Sequence, residues 1–255
     1  MGKTETNNNH FISKYIMRKF KPKGCNLYEL DCVTKKIVPK SIDNLFSGER
    51  LWGQGLEDTI DRDFENQMAR AVSNIQNVIN WRNDFTYLLE VVTDEKKCKL
   101  YNTFIMQSAL FQRSTGDDMP DYLLEDAFKN KMSRLFPVIH VRIHPLVSKD
   151  CPLLLVDSMV FMDIVLDDTK KTLGNAVFSY PISPSEMIIL GTPEQSDKFL
   201  TKFSHPHFIN VCAILHQNKK CKVASSNERY LIQIKDNLDS FGFSDKAPYQ
   251  IGASR

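Results

Sequence analysis

At 255 residues, with 42% hydrophobic and 25% charged side chains, the chain is long enough to bury a substantial core and has the composition of a globular protein. A formal net charge of +2 excludes a binder held to nucleic acid by bulk electrostatics alone, while leaving room for a local basic strip. No run of about eighteen apolar residues is present, so no transmembrane helix is predicted, and the N-terminus has no apolar core of a secretory signal.

Residues 1–9 are polar and Asn-rich and read as a flexible tail. The stretch "HFISKYIMRKF" then places Ile12, Tyr15, Ile16 and Phe20 at helical spacing, with Ser13 as a possible cap and Pro22 and Gly24 as the stop. "CNLYELDCVTKKIVPKS" reads as a β-hairpin turning around Thr34. A glycine-bearing loop leads to a long helix over 56–82, followed by helices over 97–112 and 121–135. After Pro137 the period shortens from 3.6 to 2. "PVIHVRIHP" alternates, making 138–144 a strand, and "LLLVDSMVFMDIVL" reads as one or two buried strands. "AVFSYPISPSEMIIL" adds two short strands split by Pro181 and Pro184. Helices follow around 196–202, 207–217 and 226–238, and 241–255 reads as a loose tail. The order of elements implies an α+β fold, with one globular domain over 10–240.

The six cysteines, Cys25, Cys32, Cys98, Cys151, Cys212 and Cys221, form no C-x-x-C pair. Without a signal peptide they are expected to be free thiols in a cytoplasmic protein.

Chemistry has few candidates, because the sequence contains no P-loop, nucleophile elbow or H-E-x-x-H. His10 stands just before a helix that carries Arg18, and imidazole suits proton transfer or metal ligation. Glu65 falls in line with Val72 and Ile79 on the apolar stripe of the long helix, where a carboxylate must find a partner or take up a proton. Burial in contact with His10, Arg18 or an arginine of the second helix is expected. Glu57 and Asp61 lie on the same side as Glu65 but read as a solvated flank. The strand over 138–144 puts His140, Arg142 and His144 on one face, either an anion-binding surface or simply a wet one. A symmetric return would bring His140 opposite Asp157, a carboxylate ending the apolar run "LLLV". Lys14, Arg18, Lys19, Lys21 and Lys23 form a basic strip beside the first helix.

Several of these pieces, taken in order, resemble the bacterial domain-of-unknown-function family numbered 4238. "HFISKYIMRKF" resembles its opening H-x-x-P-x-x-x-L-R-x-F, and "LEDTIDRDFE" its L-E…E helix, with Glu65 as the second Glu. "LLLVDSMV" resembles a strand ending in D-N-P-V, "FSYPISPSEMIIL" a P-L-S-P segment, and "FINVCAILHQNKKCKVASS" a closing segment with its Asn at Asn210. The resemblance spans about residues 10–235. Ser13 stands where the family has Pro, Ser158-Met159 where it has Asn-Pro, and its Q-x-x-R-T helix matches only through Gln107 and Arg113, six apart. The resemblance implies an intracellular bacterial protein, in some members encoded among mobile or defence genes, with a shared pocket of His10, Arg18, Glu65, Gln107 or Arg113, and Asp157.

Such a set suits metal-assisted hydrolysis of a phosphodiester. Glu65, Asp157 and His10 would hold a divalent magnesium or manganese ion, and Arg18 would stabilise developing charge. Nucleic acid is then the expected partner. The alternative is a non-catalytic binding or sensor module that acts through a protein partner, its polar cluster being structural.

Overall fold

Alternating apolar residues from Leu27 to Lys40 form the expected hairpin: β2 (Leu27–Asp31) pairs antiparallel with β3 (Lys36–Lys40), Asp31 opposite Lys36. At its turn Asp31 Oδ1 accepts from the backbone N–H groups of Val33 at 2.9 Å and Thr34 at 2.8 Å, and Lys35 takes the positive φ, 56°, that closes it. The computed structural model describes residues 8–10, 12–49, 54–66, 69, 70, 73, 140–146, 148, 150–157, 161–164, 176–191, 193–217 and 219–241. The helices expected over 97–112 and 121–135, with Gln107 and Arg113, lie outside these residues, as do 242–255.

The described chain is α+β, with three small antiparallel sheets. Upstream of the hairpin, β1 (Asn8–His10) pairs with β4 (Ser47–Glu49), so Asn8 and Asn9 belong to a strand rather than to the expected tail. Between them run α1 (Lys14–Phe20), capped by Ser13 as expected, and a single 3-10 turn at Ile42–Asn44. The hairpin extends into a sheet of order β3-β2-β10-β6, with β6 at Leu155–Val156 and β10 at Lys222–Ser225. β10 lies in a region read as wholly helical apart from its loops. The other four-stranded sheet has the order β5-β9-β8-β7, built from β5 (His140–Pro145), β7 (Phe161–Ile164), β8 (Ala176–Ser183) and β9 (Glu186–Gly191).

Two expectations are corrected here. Pro181 does not split a strand; it lies inside β8, and the register against β9 shifts between Pro181 and Ser183, the irregularity that admits a residue without an N–H. His140 does not face Asp157. It pairs with Gly191, while β6 crosses to β10, with Val156 opposite Val223. The approach to β6 is held by Asn210, whose side chain accepts from Leu154 N at 2.9 Å and donates to Pro152 O at 2.8 Å.

The long helix begins as α2 (Gln54–Thr59) and widens into a π-helical stretch at Ile60–Glu65. Downstream, α3 (Pro193–Lys202), α4 (Pro206–His216) and α5 (Glu228–Asn237) confirm the C-terminal helical spacing. Two apolar cores follow. Val177, Met187 and Ile189 of the second sheet pack with Phe199, Phe203 and Ile209. Leu30, Val156 and Val223 of the first pack with Ile214, Tyr230 and Ile234. Helix α4 contributes to both cores through Ile209 and Ile214. Among the described residues no helix is long and apolar enough to cross a membrane.

Candidate active site

Ser13 is the residue that ties the N-terminal elements together. Its hydroxyl accepts from Tyr15 N at 3.3 Å, satisfying one of the free N–H groups at the start of α1. The same hydroxyl donates to the Glu65 carboxylate at the end of the widened helical stretch. Asn9, in β1, reaches the start of that helix, its Nδ2 donating to Glu57 Oε2 at 3.0 Å.

Glu65 is therefore held where the helix passes α1. The residue as a whole is only partly buried, but its carboxyl group is enclosed. Burial, and then the charges of Glu57 and Asp61, push that carboxyl from 4.5 up to about 7, against the pull of the Ser13 hydrogen bond and the Lys14 charge. The carboxyl is enclosed as expected, though the residue is only partly buried; its hydrogen-bond partner is Ser13, with the Lys14 charge acting on it, and the second helix expected to supply an arginine lies outside the described residues. Asp61 is exposed, as its solvated reading requires, whereas Glu57 is half-buried on Asn9.

His10 is turned to a different task. Its Nε2 lies 3.1 Å from Asp43 O, and a carbonyl only accepts, so the proton sits on Nε2. Burial and the Lys14 charge lower its pKa, so the neutral ring is favoured. Lys14 Nζ in turn bridges Asp43 Oδ1 at 2.8 Å in an exposed ion pair. Arg18 is exposed on α1, where its charge is felt at Asp43.

Asp157 is buried at the end of β6, 7% exposed, and extends the ladder to β10 from both of its ends. Its N–H donates to Lys222 O at 3.0 Å, and its Oδ2 accepts from Lys222 N at 2.7 Å. Asn210 is the centre of a third cluster. Besides its backbone bonds it donates to Tyr230 Oη at 3.0 Å, and His207 Nδ1 lies 3.1 Å from the same oxygen. Because Tyr230 accepts from Asn210, its own proton is free to go to His207 Nδ1. Burial raises the Tyr230 phenol to about 12 and lowers the His207 imidazole.

The structure thus distributes the expected site. His10, Glu65 and Asp157 do not form a three-ligand set, since among the described residues no group of three or more His, Cys, Asp or Glu could hold a metal ion. His140 and Arg142 lie in β5, and His144 is half-buried on the same strand. Asn9, Ser13 and Lys14 were not singled out as site residues. Asn9 had been read as tail, and the Ser13 cap gave no sign that its hydroxyl also serves Glu65.

No family model, curated protein or solved structure matches the chain.

Proposed function

We propose that the protein is a hydrolase acting on a phosphodiester, with Glu65 as its proton-transferring group. The observation that carries this reading is the enclosure of the Glu65 carboxyl near Glu57 and Asp61, which pushes it up to about 7, against a helix that carries Lys14, Arg18 and Lys19. A general acid or base works best when its pKa lies near the working pH, and a cationic strip suits the phosphates of a nucleic acid. The donor set expected for a metal does not fit. A magnesium or manganese ion at Glu65 would have to draw its other donors from a neighbouring carboxylate, substrate phosphates and water.

A second reading has its own support. His10, Asp157 and Asn210 each place a side-chain polar atom on a backbone group, as residues that fix a fold do. A binding module acting through a protein partner would need no more.

One substitution separates the two. Glu65→Gln keeps the shape and can still accept from Ser13, but it carries no transferable proton. Under the catalytic reading, hydrolysis of an oligonucleotide falls by about a hundredfold or more while the fold persists. A variant that hydrolyses at the wild-type rate contradicts that reading and leaves the binding module.

A further inference from the structure

Cys32 follows β2 and Cys221 precedes β10. The register that sets Lys222 opposite Asp31 places these two cysteines opposite each other one step further on. Cys32 N donates to Cys221 O at 3.0 Å, one of the two bonds of a hydrogen-bonded antiparallel pair. Such a pair keeps its Cα atoms about 5.5 Å apart, inside the roughly 4.4–6.8 Å that a disulfide spans. Both thiols are free and buried, and their sulfurs lie 3.8 Å apart with Cys221 Sγ donating to Cys32 Sγ. Among the other described cysteines, Cys25 is exposed and Cys151 and Cys212 are half-buried.

We propose that Cys32 and Cys221 are a modification site, a dithiol that a small peroxide converts into a cross-strand disulfide joining the first hairpin to the C-terminal strand. The pair lies at the end of the sheet, where Cys32 adjoins the exposed turn at Val33 and Cys221 adjoins exposed Lys220, so local opening there is what would admit a peroxide.

With Cys32 as the attacking thiol, the 3.8 Å between the two sulfurs keeps the resolving thiol within reach. Cys32 Sγ, the acceptor, attacks one peroxide oxygen. The O–O bond breaks, an S–O bond forms, and the Cys32 proton leaves with the other oxygen as water. Cys221 Sγ then attacks Cys32 Sγ. The S–O bond breaks, the S–S bond forms, and the hydroxyl departs with the Cys221 proton as a second water. Two thiols lose two electrons and two protons, and the peroxide is reduced to water. The hydrogen bond to Cys32 and burial push the Cys221 thiol far up, so the closeness of the pair, and not an acidic Cys221, is what favours the disulfide. This inference does not depend on Glu65.

The test uses the 255-residue chain carrying Cys25→Ser, which removes the exposed thiol among the described cysteines. The protein is treated with hydrogen peroxide, its remaining thiols are alkylated under denaturing conditions, and its peptides are mapped by mass. The expected product is one linked peptide containing Cys32 and Cys221, lighter by two hydrogens than its reduced parts and released by dithiothreitol. Oxidised protein should also melt at a higher temperature, because the cross-link joins residues 189 apart in the chain. Recovery of both cysteines in alkylated form overturns the proposal, and so does an unlinked sulfinic or sulfonic acid at Cys32. The mapping needs no substitution within the pair, so a folding defect in a Cys221→Ser variant would leave it decisive.

Discussion

A carboxyl moved from 4.5 to about 7 keeps its proton in the folded chain over a range in which the unfolded chain has lost it. Because the folded value is the higher one, the associated stability is fully present below about pH 4.5 and is lost as pH rises through about 7. The difference between the two protonation states amounts to on the order of 3 kcal/mol, an upper bound for a residue that is only partly buried. Glu65→Gln removes that penalty. Urea melts should find the variant close to wild type near pH 4 and more stable than wild type near pH 8, by up to about 3 kcal/mol. A variant less stable at both pH values would mean that the carboxylate anchors the fold. Asn210 should behave in the opposite way. Asn210→Ala strands Leu154 N and Pro152 O beside the buried Tyr230 hydroxyl, and should cost about 3 kcal/mol in the same melts. At this scale the sequence showed which side chains were out of place, Glu65 and Asp157, because a carboxylate in an apolar pattern is conspicuous. It did not show their partners. Ser13 and Lys222 meet them through pairing between strands and helices far apart in the chain.

Elements were legible where local chemistry fixes them. The hairpin was readable because alternation on both sides and an Asp at the turn leave few alternatives, and α1 because Ser13 precedes a regular apolar spacing. The widening of the second helix at Ile60–Glu65 was not readable, since a π stretch uses the same residue types as an α-helix. β10 was missed because four residues between two helices carry too short an alternation. Ser13→Ala tests the first helix: it should cost about 1 kcal/mol through the lost cap. It should also raise the Glu65 pKa further, because the carboxylate loses a donor that favours its charged form. Ser13→Thr, which keeps a hydroxyl, should restore most of both effects, as read by thermal melts and by titration. The Ser13 φ of −53° is one that proline adopts, so the residue standing where the resembled family has Pro requires no change of backbone.

For the molecule as a whole, α4 is the shared wall between two cores, with Ile209 facing one and Ile214 the other. Ile214 is fully buried, and Ile214→Ala should cost about 2–5 kcal/mol. Its effect should reach beyond its own core: amide exchange in β8 and β9 should speed up together with exchange in β2 and β10. Exchange that rises in β2 and β10 alone would mean that the sheets open independently. The α+β class could be read from the change of period along the chain, but the placement of strands could not. β6 joins β10 rather than β5, and nothing in the local pattern of "LLLVD" reveals the Asn210 tether 56 residues away. The expected meeting of His10, Glu65 and Asp157 is not seen for the same reason: each is held by a different partner remote in sequence, Asp43 O, the Ser13 hydroxyl and Lys222 N.

The functional account rests on Glu65 exchanging its proton near neutral pH. A carbon-13 NMR titration of the Glu65 side-chain carboxyl in the folded chain, assigned against Glu65→Gln, measures this without any assumed substrate. The account predicts a midpoint near 7, shifted upward by burial and by Glu57 and Asp61. A midpoint near the ordinary 4.5 would contradict it, because Glu65 would then be ionised at neutral pH and unsuited to take up and release a proton there.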